Sequence, residues 1–307
     1  MELRKDYVLD RWVIIGKERG KRPNEYRQPK PKESRGIDVF AAGNEHLTPK
    51  EIGRLGSPWR MRWFPNKFPF VEKKKVKELN KKFFRMDAAW GAHEVIAETR
   101  TKKQLWDLPA AHFKDLLTVY RDRIMQISKD RKIKYVQVFK NHGGEGGASL
   151  THSHTQVVSS AFIPPEVMDK VAACRKLGKG CYGKVIEAER KGPRRCFETK
   201  NVVAFCPFAS RFNFEVWVFP KRYVRGIDEL TDAELREMAA VIRKVLLKLR
   251  SLNAPYNMFL HYAPKGKELH MHFEITPRLQ KWAGYEFSTG IVINNISPEA
   301  SAKYYRS

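Results

Sequence analysis

Cysteine is scarce in this chain of 307 residues, which holds four: Cys174, Cys181, Cys196 and Cys206. None stands in a Cys-x-x-Cys pair, so no zinc knuckle is legible and free buried thiols are expected. Disulfides are expected only of a hyperthermophile's protein, where intracellular bridges persist. Long apolar runs are also missing, and nothing approaches the roughly 18 apolar residues of a membrane helix. The opening MELRKDYVLDRWVII mixes charge into its apolar residues. It does not read as a secretory signal, and a cytoplasmic location is expected. Acidic residues are in deficit, 34 against 59 lysines and arginines, for a net charge of +25. Such a surface attracts anions. Nucleic acid is the less favoured partner, because the cations are dispersed and no nucleic-acid motif accompanies the densest cluster, KKKVKELNKK at 73–82. A solvated, heat-adapted surface that favours phosphorylated ligands fits better.

What is present describes a folded chain: 42% hydrophobic and 12% aromatic residues, with length enough for two halves of ordinary domain size. Residues up to about 60 are irregular and rich in proline, glycine and charge, which suggests an arm wrapping a core. From there one plan is read twice. HEVIAET (93–99) alternates like a strand, 109–130 places apolar residues at helical spacing, and KYVQVFKN (134–141) is a strand. GGEGGAS is then a tight loop, and LTHSHTQVVSSAF another strand. In the second pass FEVWVFPK (214–221) is a strand and 231–252 a helix, opened by Thr231 with Glu234 three residues on, a capping box. YNMFLHYAP (256–264) and LHMHFEITPRL (269–279) are strands around the loop KGKE. His154 follows His93 by 61 residues and His272 follows Phe214 by 58. Duplication is the economical explanation, so the expected fold class is α+β, antiparallel sheets with helices packed on them. The expected halves are 1–165 and 166–307, with a glycine-containing link at about 165–195.

The segment NHGGEGGASLTHSHTQ (141–156) carries the strongest chemical signal. Along a strand His152, His154 and Gln156 share one face, while Ser153 and Thr155 take the other. Glycines 143, 144, 146 and 147 let backbone amides approach an anion, and Ser149 adds a hydroxyl. Phosphate oxygens held beside a row of imidazoles are what phosphoryl transfer through histidine requires. The spacing leaves two alternatives open. GEGGAS loosely matches a dinucleotide fingerprint, but that motif opens a helix rather than a strand. Two imidazoles on one strand face also suit a metal; Gln156, a neutral donor for phosphate oxygen, favours phosphate chemistry.

The pattern N-x-G-x-x-x-G-A-S-x-x-H-x-H-x-Q resembles galactose-1-phosphate uridylyltransferase, of the histidine-triad superfamily. The similarity runs through DRWVIIGKERGKRP (10–23), GNEHLTP (43–49), PNKFPF (65–70) and GAHEVIAET (91–99). It continues through FCPFASRFNFEVWVFPKR (205–222), ELHMHFEITPRL (268–279) and KWAGYEFSTGIVIN (281–294). The resemblance implies a duplicated histidine-triad-like fold whose first half is catalytic and whose second is degenerate. It implies transfer of UMP from UDP-glucose to galactose 1-phosphate through a uridylyl-histidine on His154, with release of glucose 1-phosphate. Gln156, Ser149, Asn141 and the Gly146–Gly147 backbone would serve the phosphates, assisted by Arg19 and Arg22, with His152 in the catalytic set beside His154. Asn66 would touch the nucleoside, and Lys281, Gly284, Tyr285 and Glu286 the hexose. A homodimer with active sites shared between subunits is also implied.

The sequence departs from that family at its metals. Asp38 and Ala41 stand where two zinc-binding cysteines would, and Lys102 replaces a third ligand, leaving His152 alone. That zinc site is expected to be empty. A second site, for zinc or iron, would use His261, His270 and His272 with a carboxylate where this chain has Lys170 beside Asp169. KGKE replaces the glycine loop there, so the second half should be catalytically silent. Two other functions remain open. One is an adenylyl-transferring relative, an ADP-glucose phosphorylase or a dinucleoside-polyphosphate phosphorylase. The other is a non-catalytic nucleotide- or nucleic-acid-binding protein, supported only by the charge.

Overall fold

The computed structural model describes residues 1–16, 28, 36–178 and 180–307. Strands β1 (Glu2–Lys5) and β2 (Trp12–Ile15) come first, followed by β3 (Gly53–Leu55) and β4 (Met61–Pro65). A small hairpin, β5 (Leu79–Lys81) and β6 (Phe84–Met86), precedes β7 (His93–Ala97), α1 (Ala110–Ile127), β8 (Tyr135–His142) and β9 (His154–Ser160). Helices α2 (Pro165–Leu177) and α3 (Cys181–Lys191) then lead to β10 (Arg195–Glu198), β11 (Val202–Phe205) and β12 (Val216–Pro220). Helix α4 (Asp232–Ser251), β13 (Tyr256–His261) and β14 (His272–Pro277) complete the second pass, before α5 (Gly284–Thr289), β15 (Val292–Asn294) and α6 (Pro298–Arg306).

Ten of these strands form one sheet, in the order β10-β11-β12-β14-β13-β8-β9-β7-β4-β3. Its seam is the antiparallel pair β8 and β13, with Phe139 opposite Phe259 and His142 opposite Tyr256. Outward from the seam the two halves read alike, β8-β9-β7-β4 against β13-β14-β12-β11. Helix α1 precedes β8 as α4 precedes β13. The α+β class holds, and the repeated plan of the sequence is repeated in space, within a continuous sheet. Phe113, Leu116, Leu117 and Tyr120 of α1 share one core with Leu235, Met238, Ile242 and Val245 of α4, over Val136, Val157, Phe273 and Ile275. The α4 start is fixed as its sequence announces: the Thr231 hydroxyl accepts from the Glu234 amide while the Glu234 carboxylate accepts from the Thr231 amide. A cap of this kind contributes about 1 kcal/mol.

The opposite face is covered unequally. Over the second half, Val167 of α2 and Tyr182 and Ile186 of α3 pack on Phe205, Trp217 and Phe219. Over the first, Phe40, Trp59 and Phe64 gather around Val95 and Ala97. Two sequence expectations are corrected. The region 165–195 is a helical pair and not a bare link. Gly178 and Gly180 adopt φ of +87° and +77°, punctuating α2 and α3 in the backbone region that only glycine enters freely. Within the N-terminal arm, expected irregular, β2 pairs antiparallel with β1 and parallel with β15, making a three-stranded sheet. Val13 and Ile15 bury against Ala209, and the Arg4 guanidinium donates to Glu299 at 2.9 Å. The first residues thus belong spatially with the second half, because the apolar pair on β2 finds its cover there. The four cysteines are free thiols, lying in contact as Cys174 with Cys181 and Cys196 with Cys206. Among the described residues no helix is long and apolar enough to cross a membrane.

Candidate active site

Strand β9 runs between β7 and β8, with Ala97 opposite His154 and Gln156 flanked by Val95 and Phe139. Side chains alternate along it. Thr155 turns to the helical layer, its hydroxyl 2.5 Å from the Tyr120 hydroxyl, and Val157 enters the same core. His154 and Gln156 therefore take the opposite face. The His154 ring is buried, edge-on to Phe40 at 5.5 Å between centroids. Its Nδ1 lies 2.8 Å from the His152 carbonyl oxygen. A carbonyl only accepts, so Nδ1 carries the proton and Nε2 keeps the lone pair. Among the described residues Nε2 has no hydrogen-bond partner. Burial, and next the nearby Lys140 charge, hold the ring's pKa below its ordinary value. The His154 ring is therefore neutral at pH 7, with its Nε2 lone pair open.

Behind β9 lies a buried ionic network. Glu98 accepts from Lys140 Nζ at 2.8 Å, Ser153 Oγ at 2.5 Å and Thr155 Oγ1 at 2.6 Å, and Lys140 also donates to the His154 carbonyl at 3.0 Å. Lys140 and these hydroxyls keep the Glu98 carboxylate ionised against its burial, with a pKa below the usual range. The donors lie on β8 (Lys140), on β9 (Thr155) and just before β9 (Ser153), so the network fixes the strand that carries His154.

Around this centre the expected residues divide. Gln156 and Asn66 are brought together by His93, whose Nε2 lies 2.8 Å from Gln156 Oε1 and 3.0 Å from Asn66 Nδ2. Burial lowers the His93 pKa, so this ring too is neutral. Asn141 is held through Asn257, whose amide donates to Asn141 Oδ1 at 2.9 Å and to the Gly146 carbonyl at 2.6 Å. Gly146 is needed because an added Cβ would come within 2.9 Å of the Tyr256 carbonyl oxygen, and Gly147 because its φ is +79°. Ser149 sits exposed on the loop, with no hydrogen bond to the His154 ring. His152 meets His154 through its carbonyl only; its own nitrogens face Asp38 Oδ2 and the Thr99 carbonyl, each at 2.9 Å. With both nitrogens so engaged and aspartate in the place of a thiolate, this corner does not fit a zinc ion. Lys281 reaches Glu145 in the glycine loop at 3.2 Å, whereas Gly284 and Tyr285 stand exposed. The Glu286 carboxylate caps its own helix at the Ala283 amide. Arg19 and Arg22 lie outside the described residues.

Sequence reasoning missed His93, Asn257 and the Glu98–Lys140 pair. It also missed a cavity of about 420 Å³ on the same face, lined by Phe139, Asn141, Asn257, Arg211 and Arg278 among others. His154 is not in its wall; the cavity straddles the β8–β13 seam and lies next to β9 through β8. Arg211 and Arg278 make no ion pair among the described residues and instead flank Trp282 and Phe212, at 4.7 and 4.9 Å from the ring centroids.

The second half repeats the histidine geometry with different neighbours. His272 Nδ1 donates to the His270 carbonyl at 2.8 Å, as His154 does to His152. Where the first half has Gln156, however, the second has Glu274, and its carboxylate lies 3.1 Å from His272 Nε2. The expected metal triad is corrected as well. Among the described residues the convergent set is His261, His272 and Glu274, their ligand atoms within 4.8 Å of one another. His270 instead packs edge-on against Phe219 and Tyr223. The set does not fit a metal ion, because the Lys170 Nζ lies among its ligand atoms, 2.8 Å from His261 Nδ1 and ion-paired with Glu274.

A duplicated α+β sheet that carries a neutral histidine, open at Nε2, beside a glycine turn is an arrangement suited to a class of enzymes, those that pass a phosphorus group through imidazole. Residues 1–164 match the family described as galactose-1-phosphate uridyl transferase, N-terminal domain. The chain is 31% identical to the ADP-glucose phosphorylase of Arabidopsis thaliana, over 99% of its own length and 92% of that protein's. It is also 31% identical to the galactose-1-phosphate uridylyltransferase of Thermotoga maritima, over 100% and 98%. The crystal structure of an ADP-glucose phosphorylase from Arabidopsis thaliana with bound ADP-glucose superposes with a TM-score of 0.85 at 30% identity, covering 100% of this chain and 98% of that one. The chain belongs to the galactose-1-phosphate uridylyltransferase family, and is an enzyme of it.

Proposed function

We propose that this enzyme moves a nucleoside monophosphate between sugar phosphates by a two-step displacement, with UDP-glucose as donor and galactose 1-phosphate as acceptor. The observation that carries the reading is the His154 ring, with Nδ1–H fixed on a carbonyl and the lone pair of Nε2 unengaged. Nε2 attacks the α-phosphorus; the N–P bond forms as the bond from that phosphorus to the bridging oxygen breaks. Glucose 1-phosphate departs with the electron pair. The ring becomes cationic, and its Nδ1–H bond to the His152 carbonyl strengthens as charge develops. A phosphate oxygen of the acceptor then attacks, and the N–P electrons return to Nε2. Gln156, held at its carbonyl oxygen by His93, presents its amide to the phosphoryl oxygens, and Asn141 with the Gly146–Gly147 backbone supports the second phosphate. Arg211 and Arg278 in the adjoining cavity supply cations for the anionic sugar phosphate, and Lys281 lies at the glycine loop. A homodimer with a shared site, resting on family resemblance, completes the reading.

A second reading, an ADP-glucose phosphorylase, is favoured by the full-length likeness to a structure with bound ADP-glucose. The two differ in base and in second acceptor, inorganic phosphate against a sugar phosphate. Release of glucose 1-phosphate from UDP-glucose and from ADP-glucose, each with galactose 1-phosphate or inorganic phosphate, separates them. Faster release from UDP-glucose that depends on galactose 1-phosphate is the expected result. Faster release from ADP-glucose with inorganic phosphate would replace the substrate assignment and leave the His154 chemistry standing.

A further inference from the structure

The second half contains a charge cluster, in the wall of the cavity that also holds Arg211 and Arg278, to which the steps proposed above give no role. Lys170 projects from α2 into the sheet, 2% exposed although lysine is rarely so buried. Its Nζ lies 2.8 Å from His261 Nδ1 and 3.5 Å from His272 Nε2, and it forms an ion pair with Glu274. Those are the same three residues that constitute the convergent set of metal-ligating groups among the described residues. Trp217 closes one side, its ring centroid 5.5 Å from Nζ. Two imidazole nitrogens and a carboxylate pointed at one spot, with no cation there, would leave buried electron-rich atoms facing each other at high cost. A cation satisfies all three at once, and in this chain it is covalently tethered.

We infer that the Lys170 ammonium takes the seat of a divalent metal ion, so that the second half is held by an internal cation and is independent of metal supply. Three donated hydrogens of an ammonium satisfy three acceptors, as three coordinate bonds would, but without a ligand that can dissociate. A second consequence concerns catalysis. His272 Nε2, the counterpart of the attacking nitrogen of His154, faces the Lys170 ammonium and the Glu274 carboxylate, and has no open lone pair toward a substrate. The seat is vacated by shortening the lysine, and completed as a tetrahedral-type donor set by Lys170→Glu, which adds a carboxylate in place of the ammonium.

The test needs no nucleotide, so its result is separable from that of the proposed reaction. Chelator-treated protein is dialysed against zinc and its metal content measured, alongside thermal unfolding with and without zinc. The unaltered enzyme is expected to keep no zinc that depends on these residues, and zinc should leave its Tm unchanged. Lys170→Glu should retain about one zinc per chain, with a Tm that rises on zinc addition, and both should be lost in Lys170→Glu with His272→Ala. Lys170→Ala, which adds no charge, is the second variant should the glutamate form fail to fold without metal; weaker uptake with the same His272 dependence is expected. Stoichiometric zinc in the unaltered enzyme, abolished by His261→Ala, would overturn the inference. So would folded Lys170→Glu and Lys170→Ala proteins that both stay free of zinc.

Discussion

At the scale of single residues, reactivity rests on which proton each ring carries. His154 is neutral because burial and Lys140 lower its pKa, so the acid limb of kcat/KM should fall below pH 6.5, the ordinary histidine value. A pH–rate profile already half lost at 6.5 or above would contradict this. Gln156→Ala removes an amide aimed at the phosphoryl oxygens and should lower kcat by about 10²–10³-fold while the nucleotidyl adduct still forms. Rapid-quench measurement of both half-reactions checks it; a slowing of one half alone is the adverse result. Of this centre, His154 and Gln156 were legible in the sequence, since strand alternation places them on one face. His93 and Asn257 were not. They sit 61 and 103 residues from His154, and reach the site only because β7 flanks β9 and β13 flanks β8, a pairing no local pattern reveals.

At the scale of elements, β9 is held from behind by an ion pair whose members are 0 and 1% exposed, Glu98 and Lys140. Removing one partner leaves a buried charge, so Lys140→Met should cost about 3–5 kcal/mol in urea unfolding, and the double replacement Glu98→Leu with Lys140→Met markedly less. A double variant that costs the sum of the two single losses would show the pair to be uncoupled. The glycine turn acts differently. Gly146→Ala forces a Cβ against the Tyr256 carbonyl, and should reduce turnover more steeply than Tm, since the turn lies at the sheet's end and not in its core. The Thr231 capping box and both long helices were readable, because their signals are local. Helices α2 and α3 were not, since Gly178, Gly180 and Gly183 read as loop. Two of these glycines end and begin helices, and only packing on Phe205 and Trp217 makes the short elements stable.

At the scale of the molecule, duplication was legible as two matching passes, while their fusion into one sheet was not. The β8–β13 seam joins strands from different halves, and the N-terminal hairpin crosses to the far one. Burial of uncharged histidines also sets how the whole fold answers acid. Burial lowers the pKa values of His93, His142 and His154, that of His142 to about 3. Below pH 6.5 the unfolded chain binds protons that the folded one refuses, so stability falls with pH through that window, by roughly 1.4 kcal/mol per pH unit for each such histidine. The denaturation midpoint in urea should decline from pH 6.5 downward, before the carboxylates titrate. A midpoint flat between pH 6.5 and 5 would mean these rings accept protons in place.

The central claim is a transient bond between His154 Nε2 and phosphorus. Incubating the enzyme with UDP-glucose alone, quenching in base and mapping peptides by mass spectrometry tests it directly. A uridylyl group on His154, absent from His154→Ala, whose turnover is down on the order of 10³-fold or more, is the predicted result. Unmodified protein that still transfers the nucleotide at full rate, or an adduct mapped to another residue, would contradict it.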